Sequence, residues 1–118
     1  IKDSHKRICG GIGKAVATAK KNRRRALPII AEAETVEEAV EAAAAGADVV
    51  MLDNFSLAAA REACSRLAGR VEVEISGGIT LHNVSSYART GASRISIGAL
   101  THSAPAVDFS LEVQPEER

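Results

Sequence analysis

The chain has 118 residues, 46% of them hydrophobic and only 3% aromatic, with Lys+Arg and Asp+Glu balanced at 15 each. That balance removes any bulk electrostatic argument for nucleic acid or an anionic membrane, and no apolar run approaches the ~18 residues of a membrane span. The hydrophobic fraction suffices for one core, and many alanines with few large rings favour helices packed closely on a sheet.

Cys9 and Cys64 stand in neither metal nor redox spacing and read as reduced thiols. No signal-peptide pattern opens the sequence, so the expected location is the cytoplasm, with neither a membrane nor a nucleic acid as partner. Ile1 stands where an initiator methionine would, in what reads as a strand end, so the chain is expected to be a piece of a longer protein.

In chain order, residues 1–5 lead into a polar, glycine-containing connector that reaches Gly13, and a helix is expected from Lys14 to about Arg23 with Val16 and Ala19 inward. The run Lys20-Lys21-Asn22-Arg23-Arg24-Arg25 falls at the C-terminal end of that helix, where cations complement the dipole. Without interleaved aromatics it reads as a solvated helix end rather than a nucleic-acid patch. Pro28 precedes a strand over 29–34. Thr35 and Glu38 match a capping box, opening a helix that runs to Ala45 and stops at Gly46. The next strand covers 49–53, Ser56 caps a helix ended by Gly69, and 71–76 is a strand again. Thr80 is expected to cap a helix carrying Leu81, Val84 and Tyr87 as far as Gly91, before a last strand over 94–98.

Strand starts at 29, 49, 71 and 94 lie 20, 22 and 23 residues apart, with one helix in each gap. Strands joined by helical crossovers must be parallel. The fold class is therefore α/β, a parallel (β/α) barrel that is incomplete and TIM-like. A closed barrel takes about 250 residues, so four units and a strand stub make about half of one.

Side chains alternate along a strand, so residue parity separates two faces. Val71, Val73, Ile75, Ile95 and Ile97 should face the helices, leaving Glu72, Glu74, Ser76, Arg94, Ser96 and Gly98 toward the barrel interior. By the same parity Ile30, Glu32 and Glu34 share a face, as do Val49, Met51 and Asp53. Glu32, Asp53 and Ser76 then lie at or near the C-terminal ends of successive strands, the end of a parallel barrel where chemistry sits. Converging carboxylates there need cations: Lys2 is the internal one, and Mg²⁺ brought by a polyphosphate the external one. Ser76-Gly77-Gly78 and Gly98 end neighbouring strands with bare backbone N–H groups, which together form a phosphate cradle, and residues 101–105 can supply the adjoining turn. Plainer readings stand beside these: Glu32 in a structural ion pair, Asp53 shaping a turn with Asn54, and His5 and His102 as exposed loop residues.

These residues resemble the quinolinate phosphoribosyltransferase family. The resemblance rests on Ile1-Lys2-Asp3-Ser4-His5, Ala45-Gly46-Ala47-Asp48 with Met51-Leu52-Asp53-Asn54-Phe55, Glu74-Ile75-Ser76-Gly77-Gly78-Ile79-Thr80, and Thr90-Gly91 followed by residues 95–103. Residues 106–111 also look like the family's ending. The resemblance implies an open-faced α/β barrel with a sandwich domain upstream, of which this chain would be the C-terminal part, and at least a homodimer. It implies conversion of quinolinate and phosphoribosyl pyrophosphate to nicotinate mononucleotide, pyrophosphate and carbon dioxide, with Mg²⁺. Carried over by motif, Lys2 would contact the anionic substrates, and Glu32 and Asp53 would hold the ribose hydroxyls and the metal-bound pyrophosphate. Ser76, Gly77, Gly78 and Gly98 would bind the 5′-phosphate, with His102 nearby and His5 among the substrate-binding residues. The family's arginines and His-Arg pair that clamp quinolinate would lie upstream of Ile1. Ser4 and Ile30 depart from its usual asparagine and glutamate. Two other readings remain open, a related phosphoribosyltransferase with another acceptor and a non-catalytic phosphate-binding fragment.

Overall fold

A computed structural model describes residues 1–23, 26–102 and 105–115. Four strands, β1 (Ile30–Ala33), β2 (Val49–Asp53), β3 (Glu72–Ser76) and β4 (Arg94–Ile95), form one sheet in sequential order, with every pairing parallel. Ile1 continues the sheet beyond β1: its nitrogen donates to the Ile30 carbonyl at 2.6 Å, and the Glu32 N–H donates to the Ile1 carbonyl at 3.0 Å. The expected strand stub is there. Among the described residues five α-helices accompany the strands: α1 (Asp3–Cys9), α2 (Ile12–Asn22), α3 (Val36–Ala45), α4 (Leu57–Leu67) and the single turn α5 (Val84–Tyr87).

The core lies between sheet and helices. Ala31, Ala33, Val50, Leu52, Val73 and Ile75 point into it, and meet Val16, Ala39, Ala42, Ala60, Ala63 and Leu67 from the helices. Alanine at the helix positions lets backbone come close to the sheet, which is why so few aromatics are needed. The opposite face carries Glu32, Met51, Glu74 and Arg94 in register across all four strands. Parity therefore separated the two faces correctly. A Leu52→Ala variant, in a central strand with no exposed surface, should lose about 2–5 kcal/mol of stability by urea denaturation.

Local signals explain most element ends. Thr35 Oγ1 accepts the Glu38 N–H at 3.1 Å, Ser56 Oγ accepts the Ala59 N–H at 3.2 Å, and Gly46 closes α3 in the left-handed region at φ 95°. The basic run lies partly in the last turn of α2, with Lys20 and Lys21, while Arg24 and Arg25 are outside the described residues.

Three expectations need correction. The polar connector before Gly13 is mostly helix, α1, because Lys6 is buried there among Asp3, Glu34 and Glu38 at 2.9, 3.7 and 3.1 Å, a cluster assembled by the fold. Thr80 caps no long helix. The Thr80 and Gly78 backbone is taken up by the Asn83 side chain, which accepts from the Thr80 N–H at 2.8 Å and donates to the Gly78 carbonyl at 2.9 Å. The Thr80 carbonyl accepts the Val84 N–H at 2.9 Å, but the α-helix covers only Val84–Tyr87, and Leu81 is exposed. The last strand stops at Ile95, and Gly98–Leu100 turns into a 3₁₀ helix. Residues 105–115 carry neither helix nor strand, and Val107, Phe109, Leu111 and Val113 are exposed.

Asp48 joins the starts of β1 and β2. Its Oδ2 accepts the Ile29 N–H at 2.7 Å and Arg23 Nη1 at 2.8 Å. That backbone hydrogen bond, with the arginine charge adding to it, holds the carboxyl below the ordinary aspartate value of 3.8. A depressed folded pKa stabilises above the unfolded value, and the gain disappears as pH falls through the folded one. Asp48→Asn should therefore lower the melting temperature at pH 7, with the gap to the parent protein closing below pH 3.8.

Candidate active site

Two hollows open on the polar face. One, of about 390 Å³, is lined by Ser76, Gly77, Gly78, Ile79, Thr80, Ser96, Gly98, Ala99 and His102. The other, of about 190 Å³, is lined by Ile1, Lys2, Ile30, Glu32 and Met51. Asp53 belongs to the strand between them: Met51, two residues before it, pairs with Glu32, and Asp53 itself pairs with Ser76. The sheet register, with the Lys2–Glu32 contact, thus brings Lys2, Glu32, Asp53 and the Ser76–Gly78 turn to one rim.

The larger hollow is ringed by three glycines and the hydroxyl side chains of Ser76, Thr80 and Ser96. Gly77 and Gly78 hold φ of 82° and 64° after β3, a left-handed pair that L side chains rarely adopt. A Cβ on Gly98 would come within 2.7 Å of His102 Nε2, so the missing side chain is what lets the histidine lie over the loop after β4. Ser103 and Ala104, in the expected adjoining turn, lie outside the described residues.

In the smaller hollow Lys2 Nζ stands 3.7 Å from Glu32 Oε2, with the lysine side chain 74% exposed and the glutamate 16%. A pair so open to water is worth little as a bond, so the ammonium can turn to a better anion. Glu34 shares the parity of Glu32 but lies beyond β1 and turns to Lys6. His5 lines neither hollow: its Nδ1 accepts the Lys2 N–H at 3.1 Å and so fixes the start of α1.

The period-two pattern placed Glu74 and Ser96 inward without giving either a task. Glu74 is buried and accepts a hydrogen bond from the Ser96 hydroxyl, whose residue lines the larger hollow. Asn54 was read only as the turn partner of Asp53, and Thr80 only as a helix cap, neither with a place in the site. A non-glycine residue following an acidic strand end was the available signal for Asn54.

Among the described residues no group of three His, Cys, Asp or Glu side chains could hold a metal by itself. Two hard carboxylates on one face, Glu32 and Asp53, instead suit a Mg²⁺ ion that keeps waters and is held largely by phosphate oxygens.

A parallel half-barrel with a glycine turn, an exposed lysine and two carboxylates toward the C-terminal strand ends belongs to the α/β barrels, whose phosphate sites lie at that end. The comparisons give that class its family. The model for the quinolinate phosphoribosyl transferase C-terminal domain matches residues 1–112, and the chain belongs to this family. It is 41% identical over 120 residues to the human nicotinate-nucleotide pyrophosphorylase [carboxylating], covering 99% of this chain and 40% of that protein. The probable enzyme of the same name from Bacillus subtilis is 40% identical over 113 residues, covering 96% and 39%. The crystal structure of NadC from Streptococcus pyogenes superposes with a TM-score of 0.81 at 38% identity, covering 96% of this chain and 40% of that one. Mandelate oxidase, at 23% identity and a TM-score of 0.61, shares the fold. The chain spans about 40% of the length of the curated relatives it matches. Among the described residues no helix is long and apolar enough to cross a membrane.

Gly98→Ala should force His102 away from its place over the loop while leaving the core intact. Titration with inorganic phosphate should show affinity reduced about tenfold, a loss of about 1.4 kcal/mol, with the melting temperature unchanged.

Proposed function

We propose that the full-length protein carrying this chain transfers a phosphoribosyl group from phosphoribosyl pyrophosphate to quinolinate, releasing pyrophosphate and carbon dioxide and forming nicotinate mononucleotide for NAD biosynthesis. One observation carries the reading: the family match runs through the same residues that the register and the Lys2–Glu32 pair gather at one rim, Lys2, Glu32, Asp53 and the Ser76–Gly78 turn.

The 5′-phosphate occupies the cradle, bound by backbone N–H groups of Gly77, Gly78 and Gly98 and flanked by His102. This fixes the ribose over the sheet. As the bond from C1′ to pyrophosphate breaks, the leaving group takes the electron pair and the ribose gains positive charge. Glu32 and Asp53 stabilise that charge, and Lys2 neutralises the departing phosphates. Mg²⁺, when bound with the pyrophosphate, supplies Lewis-acid stabilisation of the leaving oxygens. The pyridine nitrogen bonds to C1′, and its positive charge then draws in the electrons left when the adjacent carboxylate departs as carbon dioxide. A proton replaces it. Positioning is the protein's main contribution. Quinolinate's carboxylates are held by residues of the upstream part, in a cytoplasmic homodimer or larger homo-oligomer.

Incubating the full-length protein with both substrates and Mg²⁺ should yield nicotinate mononucleotide. Lys2→Ala and Asp53→Ala should each lower kcat about 100-fold or more. Absence of product ends the assignment, and preference for nicotinate over quinolinate as acceptor would instead identify a related transferase. The 118-residue chain alone should bind phosphoribosyl pyrophosphate without turnover.

A further inference from the structure

Asn54 is the one non-glycine residue with positive φ among the described residues, at 55°. Glycine is the default for such a turn, and asparagine there carries a small conformational cost unless its amide is used. Here the amide makes one hydrogen bond and one close approach. Its Nδ2 donates to Asp53 Oδ2 at 2.9 Å, and its Oδ1 lies over Gly77, where an added Cβ would be only 2.4 Å away. The Asn54 main chain completes the connection, its N–H donating to the Ser76 carbonyl at 3.0 Å. A single residue therefore touches the Asp53 carboxylate on one side and the glycine cradle on the other.

We propose that Asn54 is a positioning residue: it holds the Asp53 carboxylate, through Oδ2, in fixed register with the Ser76–Gly78 phosphate loop. This rests on the reading of Asp53 as a substrate-contacting carboxylate. The distance between the 5′-phosphate and the anomeric carbon of a phosphoribosyl group is set by covalent bonds. The protein must present its phosphate cradle and its charge-stabilising carboxylate at a matching separation. Nothing in a strand end alone fixes a side-chain carboxylate, which has free χ1 and χ2 rotation. Asn54 removes that freedom with one hydrogen bond and leaves Oδ1 of Asp53 to the ligand.

The full-length protein carries the test, in variants Asn54→Gly, Asp53→Ala and the double substitution. Glycine keeps the left-handed backbone and the Ser76 hydrogen bond but deletes the amide. Asn54→Gly should lower kcat about tenfold, with inorganic phosphate affinity and melting temperature within twofold and a degree or so of the parent. On the Asp53→Ala background the same change should cost nothing further. Equal losses on both backgrounds, or a kcat unchanged by Asn54→Gly while Asp53→Ala is inactive, would overturn the role of Asn54 and leave that of Asp53 intact. A turnover indifferent to Asp53→Ala would instead remove the reading on which it rests. Independently of turnover, the Asn54 side-chain amide proton should move to the position of a free amide in NMR spectra of Asp53→Ala. A resonance that stays put sinks the proposal even in an inactive protein.

Discussion

Parallel register is the constraint from which the site follows. Ile30, Val49 and Glu72 stand opposite one another, and each later residue of the three strands is locked by the same ladder. The strands therefore end together, and the loops that leave them must share one rim. A shift of one residue in any pairing would exchange the faces and send Glu32 or Asp53 into the alanine-lined core. Hydrophobic burial on the helix side thus enforces the position of charges on the other.

Much of this was legible because it is periodic. A spacing of 20–23 residues between strand starts and the two-residue alternation within them are properties of the covalent chain, and both survive into the structure. Glycines and caps such as Thr35, Gly46 and Ser56 act within a turn of themselves, so they too can be read locally. What escaped depends on partners distant in sequence. Helix α1 has little apolar periodicity and is held by Lys6 reaching Glu34 and Glu38, about thirty residues on, which no window around residue 6 contains. The short α5 is a different failure: the Thr80 carbonyl accepts the Asn83 and Val84 N–H groups and so starts a turn, but the helix lasts only from Val84 to Tyr87 before passing into a 3₁₀ turn over Ala88–Thr90. At the site, the residue types at the rim were readable, whereas their support was not. Asn54 looks like part of a turn until its amide is seen against Asp53.

The smaller hollow shows how the cation is brought to the rim. Lys2 belongs to the segment before α1, not to the four-stranded sheet, so its place depends on how α1 sits against the β1–α3 connection. That contact is made by Lys6. Burial alone would lower its pKa, but hydrogen bonds with Asp3 and Glu38, together with the charges of Glu38 and Glu34, raise it above the ordinary lysine value. The ammonium stays charged throughout the physiological range, and the contribution is lost only as pH climbs through that raised value. Only the lysine of this cluster is buried and its three carboxylates reach solvent, so the ion pairs add little net stability, but together they tie α1 to the β1–α3 connection. The geometric consequence is direct. Lys6 is one helical turn from Lys2, so fixing the first against Glu34 and Glu38 confines the second to the neighbourhood of Glu32. One lysine is buried among three carboxylates, while the other stays exposed and weakly paired with Glu32.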